Sequence, residues 1–66
     1  MEIGFIATET NEYNVTITGL NKSVQKCYLV NENEPLIMDD FNEVGEWQIV
    51  VKLNETIIFK TEITNE

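Results

Sequence analysis

The chain has 66 residues, 42% of them hydrophobic, with 12 carboxylates against 4 lysines, no arginine, no histidine and a net charge of −8. That length allows one domain, residues 1–66, and buries only about 60% of the unfolded surface. The composition is too apolar for disorder. It lacks the basic face that phosphate binding needs, which argues against direct nucleic-acid contact, and an anionic membrane would repel it.

Apolar residues recur with period two along most of the chain, the signature of strands with one face buried. The first strand is predicted over about Glu2 to Thr8, with Ile3, Phe5 and Ala7 on one face. The second runs from about Tyr13 to Leu20, with Tyr13, Val15 and Ile17 inward and Asn14, Thr16 and Thr18 outward. "GLNKS", Gly19 to Ser23, reads as a turn. The third strand covers about Val24 to Asn31, where Val24, Tyr28 and Val30 share a face with Lys26. "NENEP", Asn31 to Pro35, is the next turn, and a short strand follows near Leu36 to Met38. "DDFNEVG", Asp39 to Gly45, reads as a loop or a single helical turn. Two strands, about Glu46 to Leu53 and Ile57 to Thr64, close the chain. No linker, repeat or low-complexity tract stands out.

The last hairpin permits a register argument. With Trp47, Ile49, Val51 and Leu53 inward, a two-residue Asn54-Glu55 loop sets Ile49 against Lys60 and Trp47 against Glu62. A slip of one residue inverts the whole face. It pairs Leu53 with Ile57, Val51 with Phe59, Ile49 with Thr61 and Trp47 with Ile63. The pattern therefore predicts an odd-length loop, Asn54-Glu55-Thr56, with Asn or Glu left-handed. Gln48, Val50, Lys52, Ile58, Lys60 and Glu62 are left on the outward side. Ile6, Cys27 and Leu29 also face away from their main sets. If contiguous, these apolar residues would form a patch of the kind that marks an interface.

Chemistry finds little to work with. No histidine can act as a base. Ser23 lies in a turn beside Lys22 and near Lys26, a setting that suits a solvated turn better than a Ser-Lys dyad. Cys27 is single, so no disulfide forms within the chain, and it reads as a small half-buried residue. With one cysteine and no histidine, structural zinc is excluded. Asp40, Asn42 and Gly45 fit three positions of a calcium loop, but Val44 and Val51 fail two others. Asp39, Asp40 and Glu43 read as a solvated acidic loop rather than a cation site. The carboxylate pairs Glu32/Glu34 and Asp39/Asp40 lack an evident cleft to tune them. Sequons at Asn14, Asn21 and Asn54 follow from strand threonines. The expectation is a chain without catalytic residues, cofactor or metal. No signal peptide or apolar span is evident, so a cytoplasmic or virion location is expected.

"FNEVGEWQIVVKL", Phe41 to Leu53, resembles the closing part of an immunoglobulin-like β-sandwich: a polar corner, Gly-x-aromatic, then an alternating strand and a final hairpin. Trp47 stands where such domains often carry a tyrosine. The resemblance covers the last third of the chain. Such domains usually run to about 100 residues and seven strands, and the antibody-type disulfide is missing here. The fold expected is all-β: a truncated antiparallel immunoglobulin-like sandwich, or an open barrel of five to six strands. The resemblance implies a binding or structural unit, of which phage virions use many. Two functions follow as expectations. One is a non-enzymatic interaction or structural module, such as a decoration or tail component of a viral particle. It would dock a protein partner or another copy through Leu29, Val50, Lys52, Ile58, Lys60 and Glu62. The other is an acidic inhibitor mimicking nucleic acid, an anti-defence or host-takeover protein that fills a basic groove with Asp39, Asp40, Glu43 and Glu46. A mimic should array carboxylates along one face, whereas here they gather in loops.

Overall fold

Alternation along β2 (Asn11–Thr18) buries Tyr13, Val15 and Ile17, and along β5 (Gly45–Leu53) it buries Trp47, Ile49 and Val51. Two strands with such faces pair side by side and need a cover. The computed structural model, which describes residues 3–38 and 43–66, shows how it is supplied. The remaining strands are β1 (Ile3–Ile6), β3 (Ser23–Val30), β4 (Pro35–Met38) and β6 (Thr56–Asn65). All pairings are antiparallel, in a four-stranded sheet of order β3-β2-β5-β6 and a two-stranded sheet β1-β4. The small sheet contributes Leu36 and Met38 to the core, with Ile3 and Phe5 packed against it. Phe5 meets Tyr13 edge-on at 6.0 Å and Phe59 at 5.3 Å. Hydrophobic burial of this kind is the main stabilising term, about 1.5–3 kcal/mol for each large side chain fully withdrawn from water. The described residues are thus all-β, six strands in two open sheets. Among the described residues no helix is long and apolar enough to cross a membrane.

Strand ends differ from the expected ones by at most two residues, for local reasons. The turn after β2 closes where the Gly19 amide donates to the Lys22 carbonyl at 2.7 Å, which ejects Leu20 from the strand to 90% exposure. Ser23 is the first residue of β3 rather than part of the turn. Beyond β1 the ladder is prolonged by Ala7, whose amide donates to the Glu34 carbonyl while its carbonyl accepts from Asn33. Of the expected loop Asp39 to Gly45, residues 39–42 lie outside the described residues, and Gly45 already belongs to β5.

The last hairpin has the expected facing pairs but not the expected loop. Trp47 opposes Ile63, Ile49 opposes Thr61 and Val51 opposes Phe59. The loop is nonetheless the two-residue Asn54-Glu55, because Leu53 pairs with Thr56 and Lys52 with Ile57. A bulge beside Val51/Lys52 takes up Ile58 as the extra residue and restores the faces. Asn54 and Glu55 both lie in the left-handed region, at φ 50° and 70°, as a tight two-residue hairpin with positive φ at both positions requires. A glutamate there is strained, since a left-handed conformation costs an ordinary residue about 1–2 kcal/mol. Glu55→Gly should stabilise the protein by about 1 kcal/mol, after the entropy cost of glycine, and raise the melting temperature by about 4–8 °C. A melt of Glu55→Gly beside the parent checks this, and no gain would place the turn elsewhere.

The two halves of the chain repeat one another, a relation that had not been expected. Exchanging β1-β2-β3 with β4-β5-β6 maps the order of each sheet onto itself. The central register has Thr16 opposite Val50, Val15 opposite Val51 and Ile17 opposite Ile49. These are the pairs a two-fold axis through Thr16/Val50 would generate. The repeat is audible in "ETNEYNVTI" from Glu9 and "EVGEWQIVV" from Glu43, although only the two glutamates of each are identical. Its clearest mark is a pair of corners. The Tyr13 hydroxyl donates to the Glu9 carbonyl at 2.5 Å, and the Trp47 Nε1–H donates to the Glu43 carbonyl at 3.0 Å, both four residues upstream. Each ring is buried with its polar tip satisfied, which pins the chain as it enters a central strand.

Candidate interaction face

The small sheet lies on one side of the four-stranded sheet, and the other side is the candidate face. Strand registers lay its residues out in rows. One row reads Gln25, Thr16, Val50, Lys60 across β3-β2-β5-β6; the row on one side is Cys27, Asn14, Lys52, Ile57, and on the other Ser23, Thr18, Gln48, Glu62. Val50 is therefore central and half-buried, held between Thr16 and Lys60. Lys52, Lys60 and Glu62 surround it, and Ile58 stands at the bulge of β6.

Not all the residues expected together meet. Leu29, 77% exposed, lies on β3 opposite Glu12, with β2 between it and Val50. Ile6 belongs to the other sheet, beside Ile37 on its exposed side. The five apolar residues thus divide among β5-β6, β3 and β1. One apolar residue was missed. Ile57 joins this face at 52% exposure, because the bulge turns it outward opposite Lys52. Only the register carries that signal, since alternation counted back from Phe59 puts Ile57 inside.

Cys27 is exposed rather than half-buried. Asn14 lies across from it on β2, and the Glu12 carboxylate reaches it diagonally, accepting from the thiol at Oε2 at 3.7 Å. Local desolvation, then the Glu12 charge and this hydrogen bond, push the thiol above its ordinary range. It stays protonated near neutrality and is a poor nucleophile. Ser23 and Lys26 are three residues apart on β3, so they point to opposite faces and form no dyad.

Charge is sorted along the strands. Glu9, Glu12, Glu32, Glu34 and Glu55 gather at the end where β2 begins, and Glu43, Glu46, Glu62 and Glu66 at the end where it finishes. Lys26, Lys52 and Lys60 lie between. Of the acidic candidates, Asp39 and Asp40 fall outside the described residues, while Glu43 and Glu46 are exposed. The Glu43 backbone is fixed, its carbonyl accepting from Trp47 and from the Asn65 side chain at 3.0 Å. Among the described residues no group of His, Cys, Asp or Glu side chains is placed to hold a metal. A cleft of about 760 Å³ opens at this end, between Gly19 and Leu20 on one side and Glu62 to Thr64 on the other, with Trp47 behind. Trp47 is 3% exposed, so its ring presents almost no surface to an occupant.

No family model, curated protein or solved structure matches the chain.

Proposed function

We propose that the chain is a non-enzymatic protein-interaction or structural module, of the kind that decorates a viral particle or its tail, and that it docks through the outer face of β5 and β6. The observation that carries this reading is the placement of Val50, Ile57 and Ile58 on the side of the sheet away from β1-β4, bracketed by Lys52 and Lys60. A solvated face gains nothing from three β-branched aliphatic residues on adjacent strands. As an interface core they supply apolar area, with the lysines and Glu62 as a polar rim. These two lysines are half of all the cations in the chain. They make the face locally neutral to basic, which suits a neutral or acidic partner surface. Separation of the carboxylates to the two ends of the sheet supports this module over a nucleic-acid mimic, which would need them in a line along one face.

The test is the double variant Val50→Asp, Ile58→Asp, with parent and variant used to capture partners from lysate of the native host. A variant that melts like the parent but loses the partner supports the proposed face. Capture that survives the double change and is lost at moderate salt would instead move the interface to the acidic ends and favour the mimic.

A further inference from the structure

We infer that the outer edge of β6 pairs with β6 of a second copy of this chain, antiparallel and centred on Thr61, to make an eight-stranded sheet across the dimer. This stands independently of the outer-face reading, because it uses backbone at the sheet edge rather than side chains on its face.

The four-stranded sheet has two outer strands, β3 and β6. An outer strand exposes a row of backbone donors and acceptors that invites further pairing, and proteins guard such rows with charges pointing inward. β3 has that guard. Lys26 stands opposite Val15, on the core-facing side of the sheet in the middle of the strand. The two-fold repeat identifies the equivalent position in β6. Val15 corresponds to Ile49, and Ile49 pairs with Thr61. The place of the guarding lysine is thus held by a small uncharged β-branched residue. β6 is also the longest strand, at 10 residues.

Centring on Thr61 produces complementary neighbours. In that register Lys60 faces Glu62 of the partner copy, and Glu62 faces its Lys60, on the outer side of the sheet. On the inner side Phe59 faces the partner's Ile63. Both are half-buried and packed against the core, so each would extend the other's cover. Opposite charges and apolar pairs directly across antiparallel strands are stabilising, and like charges there are destabilising. The bulge at Ile58 ends the regular ladder on one side, which confines pairing to about Phe59–Ile63 and makes the dimer weak and reversible. The acidic ends oppose association at long range. Salt at about 150 mM, with a screening length of about 8 Å, removes most of that repulsion.

Sedimentation equilibrium at that salt, from micromolar to millimolar protein, tests the proposal. The native chain should show a monomer–dimer equilibrium. Lys60→Glu and Glu62→Lys should each weaken it by about tenfold or more, since each sets like charges face to face twice. Mixed together, the two single variants should form a heterodimer, because every facing pair is then opposite in sign. Thr61→Lys, which transplants the β3 guard, should abolish the dimer while leaving the melting transition in place. A native chain that stays monomeric throughout overturns the proposal. So do charge variants that dimerise as the parent does, or folded single variants that fail to associate when mixed. Loss of the dimer in these variants with partner capture intact separates this edge from the face proposed above.

Discussion

Trp47→Ala should remove a large share of the stability of the chain and lower its unfolding midpoint steeply. Trp47 is buried at the entry to β5, with its ring over Gly19 and its Nε1–H held by the Glu43 carbonyl. Truncating a buried tryptophan costs about 3–5 kcal/mol, from lost transfer energy and the cavity left behind. A chain of this length has about 3–10 kcal/mol of stability in total. The loss also releases the corner, because the Glu43 carbonyl no longer receives the indole N–H. Urea titration followed by far-ultraviolet circular dichroism would show the midpoint falling towards zero. A cooperative transition near the parent midpoint would mean that the core closes without this ring.

Legibility in the sequence followed the range of the interactions involved. The inward sets Tyr13-Val15-Ile17 and Trp47-Ile49-Val51 were readable because alternation is local and one sheet face must be buried. The all-β class followed from the same pattern. The left-handed backbone at Asn54-Glu55 was readable but the two-residue length of the turn was not, because only the bulge at Ile58 reconciles that length with the inward set. Counting residues across that hairpin therefore gave the right faces through the wrong loop. Cys27 shows a different limit. Alternation set it on the outer side, but its exposure depended on β3 being an outer strand. The candidate face was readable only as a set of outward residues. Alternation reports the side a residue faces and is silent on which strands are neighbours, so Ile6 and Leu29 were grouped with Val50 across a sheet boundary and across β2. The repeat escaped for a related reason: the halves share shape and register, with Tyr in one answered by Trp in the other.

That exchange of Tyr for Trp leads to the most discriminating expectation. Continuing the central register one step at each end sets Trp47 over Gly19 and Tyr13 over Leu53, as the two-fold repeat demands. A Cβ added to Gly19 would sit 2.8 to 3.0 Å from three carbons of the Trp47 ring, closer than real contacts allow. Its φ is not in the left-handed region, so the reason for glycine is space and not backbone conformation. At the other end the smaller tyrosine leaves room for Leu53, which packs half-buried against the core. Gly19→Leu alone should therefore overpack and cost about 1–3 kcal/mol. Trp47→Tyr alone should leave a gap over Gly19 and cost a similar amount. The double variant Gly19→Leu, Trp47→Tyr rebuilds the Tyr13–Leu53 pair at the opposite end. Its tyrosine hydroxyl has the Glu43 carbonyl to meet, as Tyr13 meets that of Glu9. The double change should be milder than the sum of the single ones by about 1–3 kcal/mol, the coupling expected of residues in direct contact. Thermal melts of the parent, both single variants and the double variant close the cycle. Simple additivity would show that the two ends of the sheet are not equivalent packing sites, and that the repeat is one of strand order alone.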